Sequence, residues 1–303
     1  MRITLGQIGC VAGDVEGNVA KIIDAANRSK GSSLVIFPEL SVSGGMPVEM
    51  LKQDSFIDKC EAALERISVE CESVPVLLGC PIRNNSGKGK PLFNAAVYLF
   101  QGQRKTFIKR QLGLSFLDEA DLFEPSDDDE LLQVGCHKFA VTIGDDLANV
   151  GDDDLLLKNR VDDLRCLEPD AIINIGASRF GAVSSAQRRN TLRMNVLKTE
   201  RPLFFVNNVG QTNDAVYDGG SMVFGYEGYV VATAPFFEEK VLDVDLQCLI
   251  SMRHDDVQEY ASKQELVLKA LSEGKTMEDI VSQGFDKTLV GDVVKMRQEH
   301  LEL

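Results

Sequence analysis

Apolar runs rich in Val, Ile and Leu recur along the chain at residues 3–8, 33–37, 74–80, 94–100, 138–143, 171–175, 203–209, 221–224, 228–233 and 240–244. Runs this short, bounded by turn-forming residues, read as strands. A helical spacing of apolar positions marks residues 18–29, 54–70, 155–167 and 186–199 instead. Strand and helix alternate in the first and third quarters, whereas 90–110 and 217–245 read as hairpins. The mixture predicts an α/β (α+β) protein with two mixed sheets and helices on their outer faces, not one doubly wound sheet. Past residue 246 the pattern turns wholly helical: 257–272, 276–283, a stop at Gly284, then 288–300. Two domains are expected, 1–246 and a helical tail at 247–303, with no glycine- or proline-rich linker before the tail.

Composition narrows the function classes. With 303 residues, 44% hydrophobic and 26% charged, the chain has enough apolar material for a large core. A formal net charge of −15 opposes phosphate backbones and anionic lipid, so neither nucleic acid nor membrane is an expected partner. No apolar run approaches the roughly 20 residues of a membrane span, and Met1-Arg2-Ile3-Thr4-Leu5 opens a strand, not a signal peptide. The expectation is a soluble, cytoplasmic protein. Seven cysteines without a C-x-x-C pair suit reduced, buried thiols, and His137, His254 and His300 are too scattered for a zinc site. The acidic stretches Ser126-Asp127-Asp128-Asp129-Glu130 and Gly151-Asp152-Asp153-Asp154 miss the calcium-loop spacing and read as solvated loops or helix caps. No metal or cofactor is implied.

Three segments place polar groups just after an apolar strand, where an α/β protein presents rigidly held side chains. In Val35-Ile36-Phe37-Pro38-Glu39-Leu40, Glu39 is either a poorly solvated base or a surface cap. In Thr106-Phe107-Ile108-Lys109-Arg110, Lys109 is either functional or a lysine snorkelling to solvent. In Val141-Thr142-Ile143-Gly144-Asp145-Asp146, a strand stops in a sharp turn that, alone, reads as structural.

Taken in order, Glu39, Lys109 and the elbow at Gly144 resemble the layout of the nitrilase superfamily. More specifically, the chain is similar to the glutamine-hydrolysing domain of glutamine-dependent NAD synthetases over about residues 2–246. The strings that carry the resemblance are Phe37-Pro38-Glu39-Leu40-Ser41-Val42-Ser43-Gly44, Lys109 with Leu112, Asp118 and Glu119, and Asn174-Ile175-Gly176-Ala177-Ser178. Val206-Asn207-Asn208-Val209-Gly210, Tyr217-Asp218-Gly219-Gly220-Ser221 and Ala234-Pro235-Phe236-Phe237-Glu238-Glu239 continue it. The tail, through Thr276-Met277-Glu278-Asp279-Ile280-Val281 and Gly284-Phe285-Asp286, resembles the C-terminus of the same enzymes. No Ser-Gly-Gly-x-Asp-Ser pyrophosphate loop occurs, so the synthetase domain is expected to be missing. The resemblance implies a four-layer α-β-β-α sandwich of the nitrilase type, a C-terminal helical tail and a homo-oligomer.

It also implies a cysteine at the elbow, with a glutamate as proton shuttle and a lysine for the oxyanion. Here Glu39, Lys109 and Glu119 remain while the elbow reads Gly144-Asp145-Asp146. Cys136 lies eight positions earlier (144 − 136), about 26 Å along an extended strand, and cannot replace the sulfur. Asp145, Ser178 and Arg188 match substrate-contacting positions. Other pocket positions depart from the pattern: Gly45 for a tyrosine, Gly113 for a proline, Arg179 for a proline, and Ser184 for the basic residue that holds the glutamine carboxylate. The expected function is therefore that of a catalytically inactive homologue, a binding, regulatory or assembly protein. Its expected partner is a small-molecule ligand or a protein such as an NAD synthetase. The alternative is a residual or altered amide hydrolase using Glu39 and Lys109 without a cysteine.

Overall fold

Side chains on a strand alternate between its faces, and here both faces of the central strands are apolar. The computed structural model describes residues 1–112, 118–128, 130–151, 159–181, 185–212, 215–251, 266–267, 269–271, 274–283, 285, 290–291 and 293–294. Strands β1 (Arg2–Gln7), β2 (Leu34–Ile36), β3 (Val76–Arg83), β4 (Leu92–Phe100), β5 (Gln103–Ile108) and β14 (Lys240–Asp245) form a first sheet. Its order is β14-β1-β2-β3-β4-β5, with β1, β2 and β3 parallel and the flanking strands antiparallel. The second sheet contains β6 (Leu131–Val134), β7 (His137–Ile143), β8 (Ala171–Gly176), β9 (Leu203–Asn207), β12 (Met222–Phe224) and β13 (Val230–Thr233). In the order β13-β12-β9-β8-β7-β6 it repeats the plan of a parallel trio between antiparallel edges. A separate pair, β10 (Val209–Gln211) with β11 (Val216–Asp218), is antiparallel.

The layers follow from alternation. Leu34 and Ile36 join Ile3, Leu5 and Phe107 against Phe139, Ile173, Ile175, Phe204 and Val206, so the two sheets share one buried core. Val35, between them, faces the other way, into a cluster with Val19, Ile22 and Ala26 of α1 (Val15–Arg28) and Phe56, Leu64 and Ile67 of α3 (Asp54–Glu70). A short helix, α2 (Val48–Leu51), precedes α3, and α4 (Glu119–Leu122) follows β5. On the far side, Ile172, Leu203, Phe205 and Phe224 pack on Leu164 of α5 (Val161–Cys166) and on Leu192 and Val196 of α6 (Ser185–Thr199). Each of these large side chains contributes about 1.5–3 kcal/mol by leaving water. The result is the expected α-β-β-α sandwich.

Several expectations change in detail. The 90–110 hairpin forms, with Phe100 opposite Gln103. The 217–245 stretch does not stay in one sheet: β12 and β13 pair together, but β14 crosses to β1, placing Asp245 opposite Arg2. Strand β6 was not legible as an apolar run because only Leu132 and Val134 face inward. Of the expected helix at 155–167, the described part forms at Val161–Cys166, and residues 155–158 lie outside the described residues. Cys10, Cys60, Cys71 and Cys80 are buried as expected, but Cys136, Cys166 and Cys248 are exposed, because they lie at a turn and at helix surfaces rather than under a sheet. No group of three or more metal-ligating side chains occurs among the described residues; Asp129 and residues 152–154 fall outside them.

The chain divides into two compact units, Met1–Ile250 and Ser251–Leu303. In the second, Val267, Ala270, Ile280, Val290 and Val293 are buried together. Its helix Met277–Ser282 is capped by Thr276, whose hydroxyl accepts from Asp279 N at 3.2 Å while Asp279 accepts from Thr276 N at 3.0 Å. Much of the remaining expected tail helices lies outside the described residues. No helix among the described residues is long and apolar enough to cross a membrane.

Candidate functional site

Pro38 has no N–H to continue the β2 ladder, so the chain leaves the sheet directly after Phe37 donates to Leu77 O at 2.8 Å. The departing loop then crosses β3 at Gly79. A Cβ on Gly79 would collide with Leu40 N and sit 2.6 Å from Glu39 Cα, so only glycine lets the two backbones approach. Gly79 N donates to Pro38 O at 3.0 Å and fixes that crossing. Leu40 takes a left-handed φ of 50°, completing the turn that drives Glu39 inward.

Glu39 meets Lys109, which follows β5 and donates its N–H to Asn94 O at 2.8 Å. Lys109 Nζ donates to Glu39 Oε1 at 2.9 Å and to Glu119 Oε1 and Oε2 at 2.9 and 3.0 Å. Asn94 Nδ2 bridges the same two carboxylates, at 2.8 Å to Glu39 and 2.9 Å to Glu119. The other oxygen of Glu39, Oε2, accepts Ala177 N from the second sheet at 3.0 Å, and Asn208 Nδ2 donates to Glu39 O at 3.1 Å. Lys109, Glu39 and Glu119 are at most 1% exposed.

Burial pushes the Glu39 carboxyl up, Lys109 pulls it back, and Glu119 raises it again, leaving it at about 7 instead of 4.5. For Lys109, burial favours the neutral amine, but the attraction of Glu39, Glu119 and Asp145 outweighs it and holds the ammonium above its usual range. The ammonium is thus charged and fully engaged.

The elbow stands over this cluster. Gly144 follows β7, begins a 3-10 turn through Leu147 and has a φ of 50°. A Cβ on Gly144 would lie 2.7 Å from Glu39 Oε2 and 3.0 Å from Lys109 Nζ. Asp145 Oδ2 is 3.9 Å from Lys109 Nζ. Asp146 points away into backbone: its Oδ1 accepts Arg110 N and Gln111 N, each at 2.9 Å, and its Oδ2 accepts Ile143 N at 2.8 Å. That carboxylate staples the Lys109 segment of one sheet to the elbow of the other. Burial still raises its pKa, against the lowering by these amides. Asn174 Nδ2 adds a bond to Gly144 O at 3.3 Å.

Glu39, Lys109, Glu119, Asp145 and Gly144 therefore converge. Ser178 lies beside them, its N–H on Asn207 Oδ1 at 2.9 Å, one residue past the amide that holds Glu39. Arg188 is elsewhere engaged: its Nη2 donates to Asp218 Oδ1 and Oδ2 at 3.0 and 2.8 Å, and its guanidinium lies 5.7 Å from the Phe205 ring centre. Ser184 lies outside the described residues. Sequence reasoning missed Asn94, Asp146 and Asn207 as site residues. Asn94 carried a signal, a lone amide inside an apolar strand; the Asp146 staple carried none, since its partners are backbone amides.

The description Carbon-nitrogen hydrolase belongs to the family model that matches residues 2–251. A glutamine-dependent NAD(+) synthetase from Thermotoga maritima is 28% identical over 298 residues, covering 92% of this chain and 48% of that protein. The chain thus spans about half the length of the curated relatives it matches, and it is homologous to their glutaminase region. Among solved structures, the ADP complex of the Acinetobacter baumannii glutamine-dependent NAD+ synthetase superposes with a TM-score of 0.73 at 24% identity, over 93% of this chain and 52% of that one. A variant of the amidase from Nesterenkonia sp. AN1 has a TM-score of 0.68 at 20% identity, over 86% of this chain and 95% of its own. That structure shows covalent addition of the acetamide moiety of fluoroacetamide at its active-site cysteine.

Proposed function

This chain belongs to the carbon–nitrogen hydrolase family, and we propose that within it the protein is a non-catalytic member, a binding, regulatory or assembly protein. Gly144 carries the reading. A nucleophile must stand within reach of the proton shuttle and the oxyanion lysine, and at position 144 even a Cβ would press on both, 2.7 Å from Glu39 Oε2 and 3.0 Å from Lys109 Nζ, so the cluster fills the place a side chain would take. Glycine there leaves the acid–base apparatus with nothing to activate. We read Gly144 as occupying the place of the cysteine that the Nesterenkonia amidase uses. The engagement of Lys109 by two carboxylates supports a structural use for the remaining residues.

The test is ammonia release from glutamine and acetamide, for the wild type and Glu39→Gln. No release above the buffer rate is expected from either. Turnover by the wild type that disappears in Glu39→Gln would make the protein a cysteine-free hydrolase. The proposed protein partner is a glutamine-dependent NAD synthetase in the cytoplasm, or further copies of this chain. Light scattering on the chain alone and mixed with a purified synthetase measures both. A monomer that leaves the synthetase unshifted would remove the assembly role.

A further inference from the structure

The Glu39 carboxylate takes three hydrogen bonds, and each comes from an N–H. Oε1 accepts from the Lys109 ammonium at 2.9 Å and from Asn94 Nδ2 at 2.8 Å. Oε2 accepts from the backbone N–H of Ala177 at 3.0 Å. Asn94 and Lys109 belong to β4 and the end of β5, in the same sheet as Glu39, whereas Ala177 follows β8 of the other sheet. Ala177 is 1% exposed, so its N–H has no water in place of that bond. The residues after it are anchored in their own half of the molecule. Ser178 N donates to Asn207 Oδ1 at 2.9 Å, Arg179 forms a backbone bridge with Tyr217, and Phe180 N donates to Val216 O at 2.7 Å.

A carboxylate only accepts, but a carboxyl that has gained a proton must also donate. Oε1 lies against an ammonium, the least favourable place for a further proton. Oε2 faces a neutral amide, and a proton there turns a strong acceptor into a poor one. The charged and titratable groups facing Glu39 are Lys109 after β5, Glu119 on α4, Asp145 at the elbow and the Tyr217 phenol on β11. Lys109 opposes the proton, while burial and the negative charges of Glu119 and Asp145 favour it. The balance leaves the carboxyl at about 7, so both forms are populated near neutral pH.

We infer that the Glu39–Ala177 bond is a proton-operated latch between the two sheets, closed while Glu39 is a carboxylate and opened by a proton on Oε2, which frees the start of the Ala177–Phe180 segment. A buried N–H without a partner is costly, and turning that peptide toward water relieves the cost. The segment carries the partly exposed Arg179 and the half-exposed Phe180 ring, packed edge-to-face on Phe237. The rim of the site therefore changes with pH while its buried cluster stays in place. Nothing in the latch depends on turnover, so it stands or falls apart from the non-catalytic reading.

Amide exchange on the full chain, followed by NMR from about pH 8 down to about pH 5 and expressed as protection factors, reads the bond directly. Ala177 should lose protection about tenfold or more toward acid, as loss of a charge-assisted bond does, with a midpoint near 7. Gly79 N, bonded to Pro38 O beside Glu39, should keep its protection. In Glu39→Gln the Lys109 ammonium selects the side-chain oxygen, so the new amide nitrogen faces Ala177 N, donor against donor. Ala177 should then be poorly protected at every pH. Glu119→Gln removes a neighbouring negative charge and should move the midpoint to lower pH. Protection of Ala177 that ignores pH, as a proton shared between Glu39 and Glu119 would leave it, would overturn the latch. So would a loss that Gly79 shares, or wild-type protection of Ala177 in Glu39→Gln.

Discussion

On the floor of the site, Glu39, Lys109 and Glu119 are sealed from water, and Lys109 and Asn94 each bridge the two carboxylates. At the rim, Ser178 and Arg179 are partly exposed, and Phe180 and Phe237 stand in solvent. The floor is buried and the rim is open to solvent. Removing one member of a buried charge cluster strands the others without water or a partner, whereas a rim side chain can be exchanged at little cost to folding. Persistence of Glu39 and Lys109 is therefore weak evidence for hydrolysis. Glu39 also bolts the two sheets together, accepting from Ala177 N and Asn208 Nδ2.

The largest effect that could break this contrast is at Lys109. Lys109→Met should lower the unfolding free energy by about 3–5 kcal/mol, measured by chemical denaturation, since two buried carboxylates lose their counter-ion. A loss below about 1 kcal/mol would erase the distinction between floor and rim.

Next comes pH. Because the Glu39 carboxyl titrates near 7 in the folded protein and near 4.5 unfolded, the folded state binds the proton more tightly. Stability from this group should fall as pH rises from about 4.5 to about 7, and stay reduced above that. Lys109 is shifted upward from 10.5, so its contribution is complete below that pH and flat across this window. Thermal melts between pH 5 and 8 should slope downward in the wild type and flatten in Glu39→Gln. Parallel slopes would mean that other groups set the profile.

A smaller effect belongs to the elbow. Gly144→Cys should cost about 1 kcal/mol or more, for a side chain at positive φ whose Cβ would also sit 2.7 Å from Glu39 Oε2, and should release no ammonia from glutamine. The smallest is at the rim itself: Phe180→Ser should change stability by less than about 1 kcal/mol, since the ring is half exposed and keeps one edge-to-face neighbour. A larger loss would make Phe180 a packing residue.

Much of the layering was legible because its cause is local. Continuous apolar runs in β2 and β8, and the apolar stripes of α1 and α3, state that both strand faces and one helix face must be covered. The crossing of β14 to β1 was not, since nothing within 240–245 distinguishes an edge of one sheet from an edge of the other. Glu39, Lys109 and Gly144 were readable as strand-end residues in a recognisable order. That they touch depends on a glycine crossing at Gly79 and an aspartate staple at Asp146, which act through backbone atoms common to every residue. Arg188 shows the converse: its position matched a substrate-contacting one, yet its carboxylate partner is Asp218 of the same chain.

The left-handed backbone at Gly144 makes the elbow one-sided toward change. Glycine holds that conformation at no steric cost, whereas any other residue is strained there and its Cβ would press on the Glu39 carboxylate. Every substitution at this position therefore carries a folding cost before it can bring any chemistry.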